Sequence, residues 1–220
     1  MADQGLVQAT ACAIVDKLNS GEVTPLDLLD VLEARVAEVD GKVNALPTLC
    51  FDRARDSAKA LMRKPAGARG LLAGLPVPIK DLTAVAGVLT TQGSPIYKDA
   101  VPARSDLLVE HLENNGGVIY AKSNTPEFGA GANTFNEVFG KTRNPWDTSR
   151  SAAGSSGGAA VALATGTAWL AHGSDMGGSL RNPASFNGVV GMRPSIGRVA
   201  PNTSLKVLAP APNSDVFDIA

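Results

Sequence analysis

The sequence predicts an α/β fold, because helical and strand-like patterns follow one another along its 220 residues. Helical spacing of apolar side chains dominates the first third of the chain. A short apolar segment at 77–79 then has the character of a buried strand. Farther along, a helical pattern at 105–114 leads directly into the apolar run Val118–Ala121. A helix that feeds a strand in this way is typical of α/β architecture.

Two amphipathic helices are predicted in the N-terminal region. The first begins at Thr24–Pro25, because threonine is a good N-cap and proline is favoured at the first helical position. Asp40–Gly41 is predicted to end it. The second helix covers about 51–62. We expect residues 1–69 to form a helical region that packs on a core formed by residues 70–220.

The predicted core contains further elements. Ser105 is expected to cap the helix that precedes the strand Val118–Ala121. The stretch 149–191 is rich in Gly, Ser and Ala, but a helical run at Ala159–Ala164 and a strand-like run at Ala168–Ala171 interrupt it. We therefore interpret its glycines and serines as turn residues, and the stretch as ordered structure in place of a flexible linker.

Composition excludes several classes of function. Hydrophobic residues make up 44% of the chain and charged residues 19%, which is typical of a globular protein with a sizeable core. The formal net charge is -1, and aromatic residues are only 5%. Neither value favours direct binding to nucleic acid or to an anionic membrane surface. No apolar stretch is long enough to span a bilayer, and the first residues do not resemble a secretory signal.

The two cysteines indicate the cellular compartment in which the protein is expected. Cys12 and Cys50 lie far apart and form no Cys-x-x-Cys motif, so we predict that both are buried free thiols. Free thiols fit a reducing compartment, and we expect a cytoplasmic location.

Three places carry residues suited to catalysis. Lys80 ends the first apolar strand, Gly154–Gly158 forms a tight turn that opens a helix, and Asp175–Ser185 forms a second Gly-rich turn. A serine on such a turn is accessible to a substrate carbonyl, and neighbouring N–H groups can stabilise a developing oxyanion. A serine hydroxyl is a weak nucleophile at neutral pH and needs a base.

The choice of base is narrow, because the chain has only two histidines. His111 lies in a helix beside acidic residues and is expected at the surface. His172 follows a predicted buried strand, and we expect it to have a structural role. The sequence has no Gly-x-Ser-x-Gly nucleophile elbow. Lysine is the remaining candidate, since burial lowers the pKa of a lysine from about 10.4 and allows the neutral amine to accept a proton.

Several motifs in a fixed order carry a resemblance to a known family. They are Gly74–Asp81, Thr142–Asp147, Gly154–Gly158, Ser174–Ser185 and Gly188–Pro194. In these segments, and in the spacing of Lys80, Ser155 and Ser179, the chain from about residue 70 to 197 resembles the amidase signature family.

The resemblance implies a fold and a site. The fold is a mixed, twisted β-sheet flanked by helices, of which this chain carries the N-terminal half. Ser179 matches the nucleophile, Ser155 the relay serine, which follows a cis peptide bond, and Lys80 the base. The main-chain N–H groups that match the oxyanion hole are those of Met176, Gly177, Gly178 and Ser179. Neither a metal nor an organic cofactor is implied.

The implied activity is hydrolysis of a carboxamide C–N bond in a small molecule through an acyl-enzyme. One alternative is the glutaminase-type A subunit of a tRNA-dependent amidotransferase, which shares the triad and works with partner subunits. Another is an inactive, truncated fragment with a binding role. Because elements that complete the family's sheet lie beyond this sequence, we expect exposed apolar surface and association as a homodimer or with a partner chain.

Residues near the predicted triad have weaker assignments. Ser156 is expected either to bond to the backbone or help position the relay, or else to cap its helix. Asp175 and Arg181 are predicted to form a buried ion pair that holds the turn, in preference to the alternative that they bind substrate. Asn133 and Thr134 lie in a loop that could face substrate.

The chain also departs from the family pattern. Ala153 stands where the family usually has glycine, and Ser174 where it often has threonine. Asn187 occupies a position where an apolar residue or cysteine is more common, so a polar amide must be packed there.

Overall fold

The computed structural model describes residues 3–195 and 197–199. The α-helices within this part of the chain are α1 (Gln4–Val7), α2 (Ala11–Ser20), α3 (Pro25–Val43), α4 (Phe51–Met62), α5 (Leu107–Asn114), α6 (Gly157–Ala164) and α7 (Arg181–Asn187). The strands are β1 (Thr48–Leu49), β2 (Pro76–Lys80), β3 (Val118–Ser123), β4 (Phe135–Asn136) and β5 (Gly140–Lys141). Single turns of 3-10 helix occupy Ala66–Ala68, Pro95–Tyr97 and Glu127–Gly129.

Helix α3 begins where the sequence predicts and ends later than predicted. Thr24 forms a capping box with Asp27, whose main-chain N–H donates to the threonine side chain. The helix continues through Gly41 to Val43 and ends at Asn44, which has a φ of 55°. Glycine costs a helix about 1 kcal/mol relative to alanine, but Val43 gains a buried position by continuing the helix.

The central sheet is mixed, as expected. Its strand order is β1-β3-β2, with β1 antiparallel and β2 parallel to β3. Helix α5 lies in the chain between the two parallel strands, as a crossover connection requires. Parallel pairing brings Lys80 opposite Ser123 at the same end of the sheet.

Helices cover both faces of this sheet. Side chains of a strand alternate between its faces, and β3 accordingly contributes to two apolar clusters. Val118 and Tyr120 pack in the cluster formed with α3, α4 and α6. Ile119 packs with Val109 of α5 in a second, smaller cluster. The N-terminal helices thus share one core with β3 and α6. The predicted boundary after residue 69 remains a prediction, and residues 200–220 of the predicted core lie outside the described residues.

Three local predictions were wrong. The cap of α5 is Asp106, because Ser105 instead accepts a hydrogen bond from the Ala86 N–H through its Oγ. Strand β3 runs two residues past Ala121 to Ser123, because its parallel pairing with β2 continues. The segment Ala168–Ala171 forms no strand. Its Ala168 N–H bonds back to the end of α6, so it lacks the ladder of a strand.

The cysteines are free, as predicted, but they are not both buried. Cys12 is exposed on α2, and Cys50 is partly buried before α4. Within the described residues, no helix is both long and apolar enough to cross a bilayer.

Candidate active site

Lys80 ends β2 with its side chain fully buried. Its Nζ lies 2.6 Å from Ser155 Oγ, 3.0 Å from Ser156 Oγ and 3.0 Å from Ser174 Oγ. Burial lowers the pKa of Lys80 from 10.5 to about 7, although the nearby Asp175 carboxylate raises it. The amine is therefore poised to exchange a proton with hydroxyl groups near neutral pH.

The three hydroxyls around Lys80 are not equivalent. Ser156 Oγ donates its hydrogen to the Ser174 carbonyl at 3.2 Å, so it can only accept from Lys80. Its oxygen also accepts the Ser174 N–H at 3.2 Å. Ser155 Oγ has Lys80 as its hydrogen-bond partner within the described residues. A neutral Lys80 can thus donate to Ser156 and accept the proton of Ser155.

Of the two roles considered for Ser156, the structure supports positioning. Ser156 occupies the N-cap position of α6, but its side chain makes no capping hydrogen bond. Its hydroxyl is used entirely between Lys80 and Ser174.

The turn that carries Ser155 has the backbone that the resemblance implies. The Gly154–Ser155 peptide bond is cis, as expected. Ala153 has a φ of 56°, which explains why glycine is usual there. Thr134 Oγ1 holds the turn, donating to the Ala153 carbonyl at 2.8 Å and accepting the Gly157 N–H at 3.1 Å.

The loop predicted to face substrate is therefore partly reassigned. Thr134 is buried beneath the Ser155 turn. The residues of this segment that line the cavity are the five preceding Asn133, at 128–132.

Ser179 lies on the Gly-rich turn before α7, beside a cavity of about 360 Å³. Ser155 and Ser174 line the same cavity. The Ser156 N–H donates to the Ser179 carbonyl at 3.1 Å, which joins the two turns through their main chains. The structure thus brings Lys80 and Ser155 into direct contact and sets Ser179 on the same cavity. The Ser179 hydroxyl makes no hydrogen bond to another described residue.

Asp175 organises the turn that displays Ser179. Its buried carboxylate accepts the N–H groups of Gly178 at 2.7 Å and Leu180 at 3.1 Å. The guanidinium of Arg181 makes a two-pronged contact with it, at 2.9 and 3.0 Å. Burial raises the pKa of Asp175, but hydrogen bonds from Arg181, Gly178 and Leu180 outweigh that effect and hold the pKa well below 3.8.

The predicted ion pair is therefore present, with one difference. Asp175 is fully buried, whereas half of the Arg181 side chain is exposed.

The hydrogen bonds within this turn reduce the number of N–H groups available to the expected oxyanion hole. The Gly178 N–H is committed to Asp175, and its glycine is needed for a φ of 107°. The N–H groups of Met176, Gly177 and Ser179 have no acceptor among the described residues. These three remain candidates to bind a developing oxyanion.

His172 is buried directly behind Lys80. Its Nδ1 accepts the main-chain N–H of Lys80 at 3.1 Å. Burial, Lys80 and Lys122 together lower the pKa of His172 from 6.5 to about 3. The imidazole has the structural role expected of it, and among the described residues it makes no hydrogen bond to the hydroxyls around the lysine amine.

A second buried lysine lies at the end of the neighbouring strand. Lys122 Nζ lies 3.3 Å from Asp81 and donates to the Thr83 carbonyl at 2.7 Å. Burial lowers the pKa of Lys122, and the Asp81 charge raises it. Asp81 in turn accepts the Thr91 N–H, which fixes the loop after β2.

Sequence reasoning missed two members of the site. It did not predict that the Ser174 hydroxyl contacts the Lys80 amine. It also did not predict that the main-chain N–H of Lys80 donates to the His172 ring. The signal for Ser174 was available, because both serine and the threonine usual in the family carry a hydroxyl. No comparable signal pointed to His172, since the ring acts on a main-chain N–H.

The side-chain nitrogen of Asn187 is accommodated, whereas its buried Oδ1 has no hydrogen-bond partner among the described residues. The side chain is fully buried, and its Nδ2 donates to the carbonyls of Ala152 at 2.9 Å and Pro183 at 2.7 Å. It thereby ties α7 to the segment that precedes the Ser155 turn.

Comparisons with known proteins show the family of the chain. The sequence profile of the Amidase family matches residues 27–214. The A subunit of glutamyl-tRNA(Gln) amidotransferase from Prochlorococcus marinus (strain MIT 9211) is 42% identical over 186 residues, which is 84% of this chain and 38% of that protein.

Solved structures show the same similarity. A 6-aminohexanoate cyclic dimer hydrolase in complex with its substrate matches with a TM-score of 0.81 at 35% identity, over 89% of this chain and 39% of that chain. A bacterial aryl acylamidase of the amidase signature enzymes matches with a TM-score of 0.82 at 34% identity, over 88% of this chain and 41% of that chain. The chain thus spans about two fifths of the length of these relatives, and it belongs to the amidase signature family.

Proposed function

We propose that this chain carries the catalytic residues of an enzyme that hydrolyses the C–N bond of a small carboxamide through an acyl-enzyme. Ser179 is the nucleophile, Ser155 relays the proton and Lys80 is the base. The observation that carries the proposal is the 2.6 Å contact between a fully buried lysine amine and Ser155, beside a cavity that Ser179 also lines.

The proposed chemistry begins with proton transfer. Neutral Lys80 accepts the proton of Ser155, and Ser155 accepts that of Ser179. The Ser179 hydroxyl turns toward Ser155 once substrate fills the cavity, because catalytic hydrogen bonds often tighten only in the complex. Ser179 Oγ then bonds to the amide carbon.

The carbonyl oxygen becomes an oxyanion next to the turn at 176–179. The N–H groups of Met176, Gly177 and Ser179 donate to it. The proton held by Lys80 returns through Ser155 to the leaving amine as the C–N bond breaks. Water then attacks the acyl carbon while Ser155 takes its proton and passes its own to Lys80. The bond from Ser179 Oγ to the acyl carbon breaks, and the proton returns through Ser155 to Ser179 Oγ. No step requires a metal or an organic cofactor.

The test is covalent labelling of the chain with a fluorophosphonate, followed by mapping of the labelled peptide. We expect the label on Ser179, and no label in Ser179→Ala. Ser155→Ala should label at least about a hundredfold more slowly, the size expected when proton transfer is lost. Ser185→Ala is the matched control, because Ser185 is an exposed serine of α7. An unlabelled wild-type chain would contradict the proposal and favour a binding role. A label that persists in Ser179→Ala would contradict it by showing that another residue is the nucleophile.

A second function has support of its own. The relative from Prochlorococcus marinus is part of an amidotransferase and is 42% identical, so the same triad fits a glutaminase that supplies ammonia to partner subunits. Ammonia release from glutamine that appears only when the partner proteins of an amidotransferase are added would favour this function. Release of amine from simple carboxamides without partners favours the hydrolase. Either enzyme acts in the cytoplasm and engages a small amide without direct contact with nucleic acid.

A further inference from the structure

The outer edge of β2 is closed by one residue. Within the described residues β2 is an edge strand, paired with β3 on one side only. On its other side, the Pro78 carbonyl accepts the His172 N–H at 3.1 Å, and the Lys80 N–H donates to His172 Nδ1 at 3.1 Å. His172 therefore provides, with its main chain and its ring, two bonds that a neighbouring strand would otherwise provide.

This contact fixes the protonation of the ring. Nδ1 accepts a hydrogen bond, so the proton of the neutral imidazole lies on Nε2. An imidazolium cannot accept the Lys80 N–H, and it would add a cation near Lys80 and Lys122. The pKa of His172, lowered to about 3, keeps the ring neutral across the pH range in which Lys80 titrates. Asp175 is the acidic group that acts on Lys80 from the facing turn.

The hydrogen bond from the Lys80 N–H to His172 also fixes the main-chain position from which the lysine side chain extends. Lys80 Nζ meets three hydroxyls at 2.6 to 3.0 Å, so a small shift of its main chain breaks that set. Without the ring, the buried Lys80 N–H has no acceptor, which favours such a shift. We propose that His172 is a positioning residue, which holds the main chain of Lys80 so that its amine meets Ser155, Ser156 and Ser174. The role of Lys80 as base rests on the proposed function, whereas its position does not.

Two variants of His172 distinguish the effect of losing the imidazole ring from the effect of losing its hydrogen-bond acceptor. His172→Leu removes the acceptor, and His172→Asn retains a carbonyl oxygen near the place of Nδ1. The first measurement is the titration of Lys80, followed by the carbon-13 shift of its Cε. We expect His172→Leu to raise the midpoint by about one pH unit or more, because a displaced amine gains water. His172→Asn should stay within about half a unit of wild type.

The second measurement is the rate of fluorophosphonate labelling. We expect His172→Leu to slow it at least about tenfold, and His172→Asn to retain it within about threefold. Equal effects of the two variants, or no effect of His172→Leu on either measurement, would overturn the positioning role. If the wild-type chain does not label but the Lys80 midpoint responds as expected, the positioning role stands and the proposed function fails.

A third measurement does not depend on the variants folding. In the wild-type chain labelled with nitrogen-15, a scalar coupling across the hydrogen bond should connect the Lys80 amide nitrogen with His172 Nδ1. Absence of this coupling, or a proton on Nδ1 at neutral pH, would overturn the proposal.

Discussion

The main-chain N–H of Gly178 donates to Oδ1 of Asp175 at 2.7 Å, in the middle of the turn that displays Ser179. The same carboxylate accepts hydrogen bonds from the main-chain N–H of Leu180 and from the guanidinium of Arg181. One buried side chain thus determines which N–H groups of the turn point inward and which remain available at the cavity.

Asp175→Asn should loosen this turn. An amide has one acceptor oxygen where the carboxylate has two, and its NH₂ would face donors. We expect a loss of about 2–3 kcal/mol in unfolding free energy, from hydrogen bonds to a charged group, and labelling of Ser179 at least about tenfold slower. Chemical denaturation and labelling kinetics measure the two effects. Asp147→Asn is the control, since Asp147 is a surface carboxylate bound to Arg150, and equal effects of both variants would refute the assignment.

Lys80 should set the pH dependence of the proposed reaction. Its pKa of about 7 means that the neutral, proton-accepting form is lost as pH falls through 7 and predominates above it. We expect the labelling rate to rise with pH to a plateau, with a midpoint near 7. A midpoint near 10 would show that the amine is solvated.

Lys80→Met should remove this dependence while keeping the side-chain volume. Labelling should fall by about a hundredfold to ten-thousandfold, the usual contribution of a general base. Circular dichroism should show a folded chain, because this buried site accommodates an apolar side chain at a lower cost in free energy than an unpaired charge. Lys59→Met changes an exposed lysine of α4 and should label like wild type.

Ser156→Ala and Ser174→Ala should differ, although both hydroxyls contact Lys80 at 3.0 Å. Ser156 Oγ also bonds both main-chain groups of Ser174, so its loss frees the turn as well as the amine. We expect labelling to slow by about tenfold to a hundredfold in Ser156→Ala and by less than about tenfold in Ser174→Ala. The reverse order would mean that Ser174 matters more to the amine than its single contact indicates.

Gly158→Ala should destabilise the chain without touching the cavity. An added Cβ would overlap the main-chain nitrogen of Asn124 and lie 2.7 Å from the Ala45 carbonyl, neither of which can move alone. We expect a loss of about 1–3 kcal/mol in unfolding free energy.

Gly41→Ala provides the matched control. Gly41 lies inside α3 with open space around the position of its Cβ. The substitution should stabilise the chain by about 0.5–1 kcal/mol, measured by thermal or urea unfolding. Equal effects of the two substitutions would show that Gly158 is not tightly packed.

The elements with strong local signals could be predicted from the sequence. Thr24–Pro25 marked the start of α3, and α4 has the predicted bounds Phe51–Met62. Elements whose structure depends on residues far away in the sequence could not be predicted in this way. The segment Ala168–Ala171 has strand-like composition, but its main chain bonds to the end of α6. Gly41 is a helix-stop signal in the sequence, but the burial of Val43 outweighs it.

The site divides in the same way. Lys80, Ser155 and Ser179 could be identified because their motifs are local and ordered along the chain. The bonds that orient them could not, because they run between a side chain and a distant main-chain group, as from the Lys80 N–H to His172 and from Gly178 to Asp175. Such partners leave no periodic pattern.

The burial of Lys80 among three hydroxyls also has a consequence for biosynthesis. β2, the turn at 154–156 and Ser174 must all dock before water leaves the amine. A newly made polypeptide therefore carries an ordinary ammonium ion at this position, which cannot take up a proton. The neutral, proton-accepting form of Lys80 near pH 7 is a product of the finished tertiary structure, so a nascent or partly opened chain cannot carry out the proposed proton transfer.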